Sequence, residues 1–245
     1  MRLGIVGGGS RGLGEAVFRG LKQRGWMVRE LSRSAPHSGS VGCDFADPRS
    51  VEAGVRRVVE EVRGEELDEI LVVDNAASLE PIGPLASLTA PEIQTHWNAN
   101  VVGPSVLLAR CIEAFQESPI PKVVVHVTSG AAIKSYPGWS MYGGSKAAME
   151  HIVRTSAMEQ MGLAHPFLLG SFDPGVMDTR MQDTIRNCSV DRFPSLARFQ
   201  DLKASGGLRD PAVVAEALLG WAASGFQAGS RMSVQEWLAG SPTAA

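Results

Sequence analysis

Tyr142 and Lys146 are the residues of this chain whose types and spacing point most directly to chemistry. In Tyr142-Gly143-Gly144-Ser145-Lys146 they stand at i and i+4, so a helix through the segment puts phenol and ammonium on one face. A neighbouring ammonium favours the phenolate and lowers the tyrosine pKa, which suits the hydroxyl to proton transfer near neutral pH. Ser129, thirteen residues before the tyrosine, ends an upstream apolar run, where its hydroxyl can hydrogen-bond the same substrate oxygen. Five-residue patterns arise by chance, so the weight of this set depends on what opens the chain.

The chain opens with a short apolar run at residues 3–6, followed by Gly7-Gly8-Gly9-Ser10-Arg11-Gly12-Leu13-Gly14. Leu13, Ala16, Val17 and Leu21 then repeat at helical spacing up to Gly25. A strand, a glycine turn and a helix N-terminus together make a cradle for a dinucleotide. The glycines let the backbone approach the pyrophosphate, and the helix amides and dipole favour its charge. About 20 residues past such a turn, a site built for a free ribose 2′-hydroxyl carries an acidic residue. Here Leu31-Ser32-Arg33 occupies that place, with Ser32 in the acidic position and Arg33 next to it. Arg11, inside the turn, is a second cation, and arginine binds phosphate with paired, charge-assisted hydrogen bonds. The expected cofactor is therefore NADP(H) rather than NAD(H). Glu30 shares a strand face with Ser32 by alternation and is the residue that argues for the hydroxyl.

The elements that must hold these residues alternate along the chain. Strands are expected near 2–7 and 27–32, in a short run ending at Asp44, and at 70–73, 123–128, 167–172 and 231–234. Helices are expected near 12–25, 48–63, 91–115 (with a break near Asn100), 141–161 and 211–223. This pattern predicts an α/β fold: a Rossmann-type, doubly wound parallel sheet of about seven strands in three αβα layers. Residues 177–205 are polar and weakly periodic and read as a variable substrate loop. No repeat or linker divides the chain, so one domain over 1–245 is expected.

These motifs resemble, in order and spacing, those of the short-chain dehydrogenase/reductase family, over nearly the whole chain. Gly8-x-x-x-Gly12-x-Gly14 is similar to its TGxxxGxG cofactor turn, with Gly7 where threonine is usual. Asp74-Asn75-Ala76-Ala77 is similar to its NNAG segment with two departures. Asp173-Pro174-Gly175-Val176 followed by Asp178-Thr179 is similar to its PG motif, and Asn100, Ser129, Tyr142 and Lys146 match its tetrad. The resemblance implies carbonyl reduction with hydride from NADPH. Ser129 would polarise the oxygen and Tyr142 donate the proton. Lys146 would steady the phenolate and hold the nicotinamide ribose, and Asn100 would orient a water between Lys146 and solvent. It also implies cofactor contacts from Gly8, Ser10, Arg11, Gly12, Leu13 and Gly14, from Ser32 and Arg33, from Asp44 at the adenine and Phe45 beside it, and from Asn75, Ala76 and Ala77. Tyr142, Lys146, Pro174, Gly175, Val176 and Thr179 complete that set, Thr179 at the carboxamide. Asp44 and Thr179 are otherwise expected as helix caps.

Within the family, Gly138-Trp139 before the tyrosine, Glu80-Pro81-Ile82-Gly83-Pro84 and Asp178-Thr179-Arg180-Met181-Gln182 resemble the benzil reductase and sepiapterin reductase branch. That likeness implies a small vicinal diketone or a sepiapterin-like carbonyl as substrate, contacted by Ser129, Trp139, Tyr142 and Asp178. Asp178 either anchors an amino-bearing ring or caps the loop helix. The alternatives are another short-chain ketoreductase, of the 3-oxoacyl or sugar type, and a non-catalytic NADP(H)-binding regulator.

Composition excludes several other classes. The 245 residues contain 44% hydrophobic residues, enough for a sizeable core. A net charge of −3, from 23 basic and 26 acidic residues, points away from nucleic acid and anionic membranes. No apolar run approaches the ~18 residues that span a bilayer. The chain enters its first strand at once, which leaves no room for a cleaved signal and suggests a cytoplasmic protein. Three widely spaced cysteines, Cys43, Cys111 and Cys188, argue against a disulfide framework or a metal site. His126, inside an apolar strand, reads as a satisfied core histidine. A homodimer or homotetramer is expected from the resemblance, with the helices at 91–116 and 141–161 packing against their mates through residues such as Val102, Val106, Ala147, Met149 and Ile152.

Overall fold

A computed structural model describes residues 1–240. Among these residues, β1 (Arg2–Gly7), β2 (Met27–Ser32), β3 (Ser40–Gly42), β4 (Glu69–Asp74), β5 (Lys122–Val127), β6 (Leu168–Asp173) and β7 (Arg231–Ser233) form one sheet. Every pairing is parallel, and the order is β3-β2-β1-β4-β5-β6-β7. The winding reverses between β1 and β4, so the crevice at their carboxyl ends is where such a sheet binds ligands.

The helices are α1 (Gly12–Gln23), α2 (Pro48–Glu61), α3 (Ala90–Trp97), α4 (Gly103–Phe115), α5 (Ser140–Gln160), α6 (Arg180–Arg186), α7 (Leu196–Ala204), α8 (Pro211–Ala222) and α9 (Val234–Gly240). Strand alternation divides the core between the two faces. Leu3, Ile5, Ile70 and Val72 pack toward α2, α4 and the Val153–Ala157 stretch of α5. Val6, Leu71 and Val73 pack toward α1 and α8. Because both faces are covered, the strands read as continuous apolar runs. Each fully buried aliphatic side chain contributes about 1.5–3 kcal/mol.

Local chemistry sets the helix ends. Asp47 caps α2, its carboxylate accepting the Arg49 amide at 3.0 Å, and Pro48 occupies the first turn. Asp44 therefore does not cap that helix; its Oδ1 accepts the Ala46 amide at 3.0 Å in the loop before it. Between α3 and α4 the backbone widens into a π turn at Asn98–Val102, the expected break, and buries Asn100.

The chain departs from expectation in three places. Residues 177–205 are no open loop: α6 and α7 bury Ile185, Phe193, Leu196 and Phe199 against Leu79, Ile82, Trp139 and Tyr142. Two helices of seven and nine residues are too short to show a clear period. After β7 the chain turns into α9 through a capping box in which Ser233 Oγ accepts the Glu236 amide at 3.2 Å and Glu236 accepts the Ser233 amide at 2.8 Å. Met149 is fully buried, with its sulfur 3.6 Å from Ser105 Oγ, so the core absorbs a side chain expected at a subunit interface. No described helix is long and apolar enough to cross a membrane, and no described cluster of His, Cys, Asp or Glu could hold a metal ion.

Candidate active site

The glycine turn is shaped by close approach. Gly8 has φ +72°, and a Cβ there would lie 2.8 Å from the Ala76 Cα. A Cβ on Gly14 would stand 2.2 Å from the Gly8 carbonyl oxygen, which accepts the Asn75 side-chain amide at 2.9 Å. Gly12 has φ +56°, and its Cβ position lies 3.4 Å from the Thr179 methyl. The fold thus gathers the turn, Asn75, Ala76 and Thr179 at one place. Arg11, at the N-cap of α1, is extended and makes no side-chain cap, so no side chain occupies the first-turn amides. A bare-backbone turn against an uncapped helix N-terminus fits a dinucleotide pyrophosphate.

Arg11 in the turn and Arg33 just past β2 are exposed, and Ser32 is buried, its hydroxyl accepting the Ala35 amide at 3.2 Å. Glu30 is fully buried under the turn, its Cγ 2.5 Å from where a Gly9 Cβ would be. It accepts the Ser40 hydroxyl at 2.6 Å and is sealed away from the surface that Arg33 shares with solvent. His37, whose Nε2 lies 3.3 Å from the Gly9 carbonyl and whose ring stacks on Phe18, closes this corner. Phe45 is buried against the Gly7 and Gly103 backbones, while Asp44 is half-buried. Gly175, with φ +67°, follows the buried Pro174 at the end of β6, and its amide donates to Asp173 Oδ1 at 3.0 Å.

The tetrad residues come from the π turn (Asn100), the segment after β5 (Ser129) and α5 (Tyr142 and Lys146). Tyr142 and Lys146 are buried, and half-buried Ser129, whose Oγ accepts the Ala131 amide at 3.1 Å, stands beside Tyr142. The Lys146 ammonium donates to the Val127 carbonyl at 2.7 Å. The lowered tyrosine pKa expected from the i, i+4 pair is not what the fold produces. Burial pushes Tyr142 up to about 12, against the Ser129 hydrogen bond and with the Asp173 charge adding to it. Burial also brings Lys146 down to about 8, opposed by Asp74 and Glu150. Desolvation of the phenolate outweighs an ammonium directed at the β5 backbone.

Asn100 acts as a clamp. Its Oδ1 accepts the Ser78 amide at 2.8 Å and its Nδ2 donates to the Ser78 carbonyl at 2.7 Å. His96 and Ser145, which sequence reasoning missed, extend this network. His96 Nδ1 donates to the Glu80 carbonyl at 2.7 Å, which leaves Nε2 to accept from Asn100 at 3.1 Å. Ser145 Oγ donates to the Tyr142 carbonyl at 2.8 Å. Burial lowers the His96 pKa and keeps the ring neutral, as this tautomer requires. The i, i+4 spacing of His96 and Asn100 was the legible signal.

His126 is only half satisfied. Nδ1 bonds Asp74 Oδ2 at 2.6 Å across adjacent strand ends, while His126 Nε2 and Asp74 Oδ1 are buried without partners among the described residues. Burial, joined by the Lys146 charge, lowers the His126 pKa.

On the substrate side, Trp139 stacks on Phe193 at 4.6 Å and meets Tyr142 edge-on at 5.5 Å. Its indole N–H is buried and has no partner among the described residues. Asp178 pairs with Lys203 at 2.6 Å, strapping the segment before α6 to α7. It is not a helix cap: Thr179 holds that position on α6, without a side-chain cap bond.

The sequence profile of the short chain dehydrogenase family matches residues 3–189. The chain is 32% identical over 243 residues to a benzil reductase ((S)-benzoin forming) of Bacillus subtilis (strain 168), a match covering 97% of this chain and 100% of the other. It is 32% identical over 238 residues to the sepiapterin reductase of Meriones unguiculatus, covering 88% of each. The fold matches the crystal structure of the KRED1-Pglu enzyme with a TM-score of 0.81 and 28% identity, over 94% of this chain and 100% of that one.

Proposed function

The chain belongs to the short-chain dehydrogenase/reductase family, and from that premise we propose that it is an NADP(H)-dependent carbonyl reductase acting on small vicinal diketones. The observation that carries this reading is the half-buried Ser129 hydroxyl beside the buried Tyr142 phenol, with Trp139 edge-on to the tyrosine ring. Bound in the glycine cradle, a reduced nicotinamide supplies the hydride. Arg11 and Arg33 hold the 2′-phosphate by charge-assisted hydrogen bonds.

Ser129 and Tyr142 present two hydroxyl donors to one carbonyl oxygen, where negative charge grows. Tyr142 gives up its proton to that oxygen, and Lys146 offsets the cost of the buried phenolate. Asn100 keeps the Ser78 segment against α5, so that the reacting groups stay in register. Trp139, edge-on to Tyr142 at 5.5 Å, sets an aromatic wall beside the two hydroxyls, which suits a benzil-like diketone with a second carbonyl beside the first. That second carbonyl also withdraws electrons from the first and makes it easier to reduce. A sepiapterin-like substrate is the second reading. It takes Asp178 as its amino anchor, and that carboxylate already has Lys203 as a partner.

A substrate panel followed by loss of reduced-nicotinamide absorbance tests the reading. Turnover of benzil-like diketones is expected, with Trp139→Ala lowering kcat/KM for them about tenfold more than for monoketones. Turnover of acyl-thioesters alone would overturn the substrate class, and none on any carbonyl would leave an NADP(H)-binding regulator. Arg33→Ala is expected to weaken NADPH binding roughly 10- to 150-fold while leaving NADH nearly unchanged. Equal weakening of the two would remove Arg33 from the discrimination.

A further inference from the structure

Two carboxylates lie behind the tetrad on positions that the steps above do not use. Glu150, one turn past Lys146 on α5, accepts the Thr128 hydroxyl at 2.6 Å. Asp173 ends β6 and accepts the Gly175 amide. One guanidinium reaches both. Arg231, on the edge strand β7, donates from Nε to Glu150 Oε1 at 2.8 Å and from Nη2 to Asp173 Oδ2 at 2.8 Å. The same Nη2 lies 3.5 Å from the Ser129 carbonyl. The three side chains are 25%, 18% and 12% exposed, so most of this cluster is withdrawn from water.

We propose that Arg231 is a positioning residue for the reduction: it neutralises Glu150 and Asp173 and holds the Ser129 segment against α5, so that Tyr142 can take on negative charge. This role presupposes the carbonyl-reductase reading above. The charge arrangement carries it. Asp74 and His126 on β4 and β5, His96 on α3, Glu150 on α5 and Asp173 on β6 act on Tyr142 or Lys146, and Arg231 on β7 binds two of these carboxylates. Both histidines are driven toward the neutral form by burial, so Lys146 and Arg231 are the cations of this set. Without Arg231, Glu150 and Asp173 lose their guanidinium partner, and the bare Asp173 charge opposes the phenolate directly. Breaking a mostly buried ion pair also leaves its partners unpaired, which is costly for the fold. The planar fork of arginine matches two acceptors in a way lysine reproduces only in part.

The chain has only two tyrosines, Tyr136 and Tyr142. In a Tyr136→Phe background labelled with 3-fluorotyrosine, whose phenol ionises at lower pH, a single fluorine resonance reports Tyr142 while the fold holds. Arg231→Met is expected to raise the ionisation midpoint by about one unit and to lower kcat for diketone reduction roughly tenfold, with the KM for NADPH little changed. Arg231→Lys should recover part of both. Adding Asp173→Asn to Arg231→Met should bring the midpoint back toward the parent, and this pair decides the matter if Arg231→Met alone fails to fold. A folded Arg231→Met protein with unchanged midpoint and kcat would overturn the role, as would a fall in kcat with no shift in midpoint that Arg231→Lys does not repair. If the parent reduces no carbonyl, the reductase reading fails, while the fluorine titration still judges Arg231.

Discussion

At Tyr142, burial and reactivity pull in opposite directions. In the proposed reaction the phenol releases a proton, yet its surroundings push its pKa up to about 12, and Lys146 is brought down to about 8 by its own desolvation. Tyr142→Phe removes one hydroxyl and little volume. It is expected to lower kcat about 10²–10⁴-fold while NADPH binding, followed by fluorescence titration, stays nearly unchanged. A mutant with half the parental activity would remove Tyr142 from the acid role. The pH dependence follows from the two directions. Below about 8 both groups hold their protons, so the acid is loaded and the ammonium is present to meet the phenolate. As pH rises through about 8, Lys146 loses its charge before Tyr142 loses its proton. The kcat/KM for reduction should therefore fall on the alkaline side of that value, and a profile flat between about pH 7 and 10 would contradict the assignment.

At the scale of elements, two glycines of the site test different forces. Gly14 lies in α1, where alanine would normally be favoured, but its Cβ would stand 2.2 Å from the Gly8 carbonyl oxygen. Gly14→Ala is expected to cost about 1–3 kcal/mol and to loosen the cofactor turn. Gly144 lies in the interior of α5 with nothing within 4 Å of its Cβ position. Gly144→Ala is expected to add about 0.5–1 kcal/mol. Thermal unfolding of both variants checks the pair, and equal effects would show that the close approach at Gly14 relaxes freely. The turn, the α5 pair and the strand pattern were legible because each depends on residues close in sequence. The helices α6 and α7 were not, because their apolar side chains make sense only against Leu79, Ile82 and Trp139 from distant segments.

At the scale of the whole molecule, the all-parallel sheet brings the glycine turn after β1, Ser129 after β5 and the Pro174-Gly175 turn after β6 to the carboxyl ends of its strands. The exposed apolar side chains that remain on and after the π turn and α5 include Val102, Met158, Met161 and Leu163. We expect a homodimer or homotetramer through α4 and α5, even though Met149 is withdrawn into the core. Light scattering at micromolar concentration checks this, and a monomer there would refute it.

By itself the sequence determined the alternation of strands and helices, the cradle and the tyrosine–lysine spacing, since periodicity, glycine geometry and i, i+4 contacts are short-range consequences of chain geometry. The family resemblance added Asn100, which the fold then turned into a clamp on Ser78. Only the tertiary structure decided that Glu30 lies sealed beneath Gly9 and that His126 faces Asp74. It also decided that Tyr142 is harder, not easier, to ionise, and that Arg231 reaches Glu150 and Asp173 across 81 and 58 residues. Desolvation and long-range ion pairing depend on what the fold stacks around a group, and no local pattern of residues encodes that.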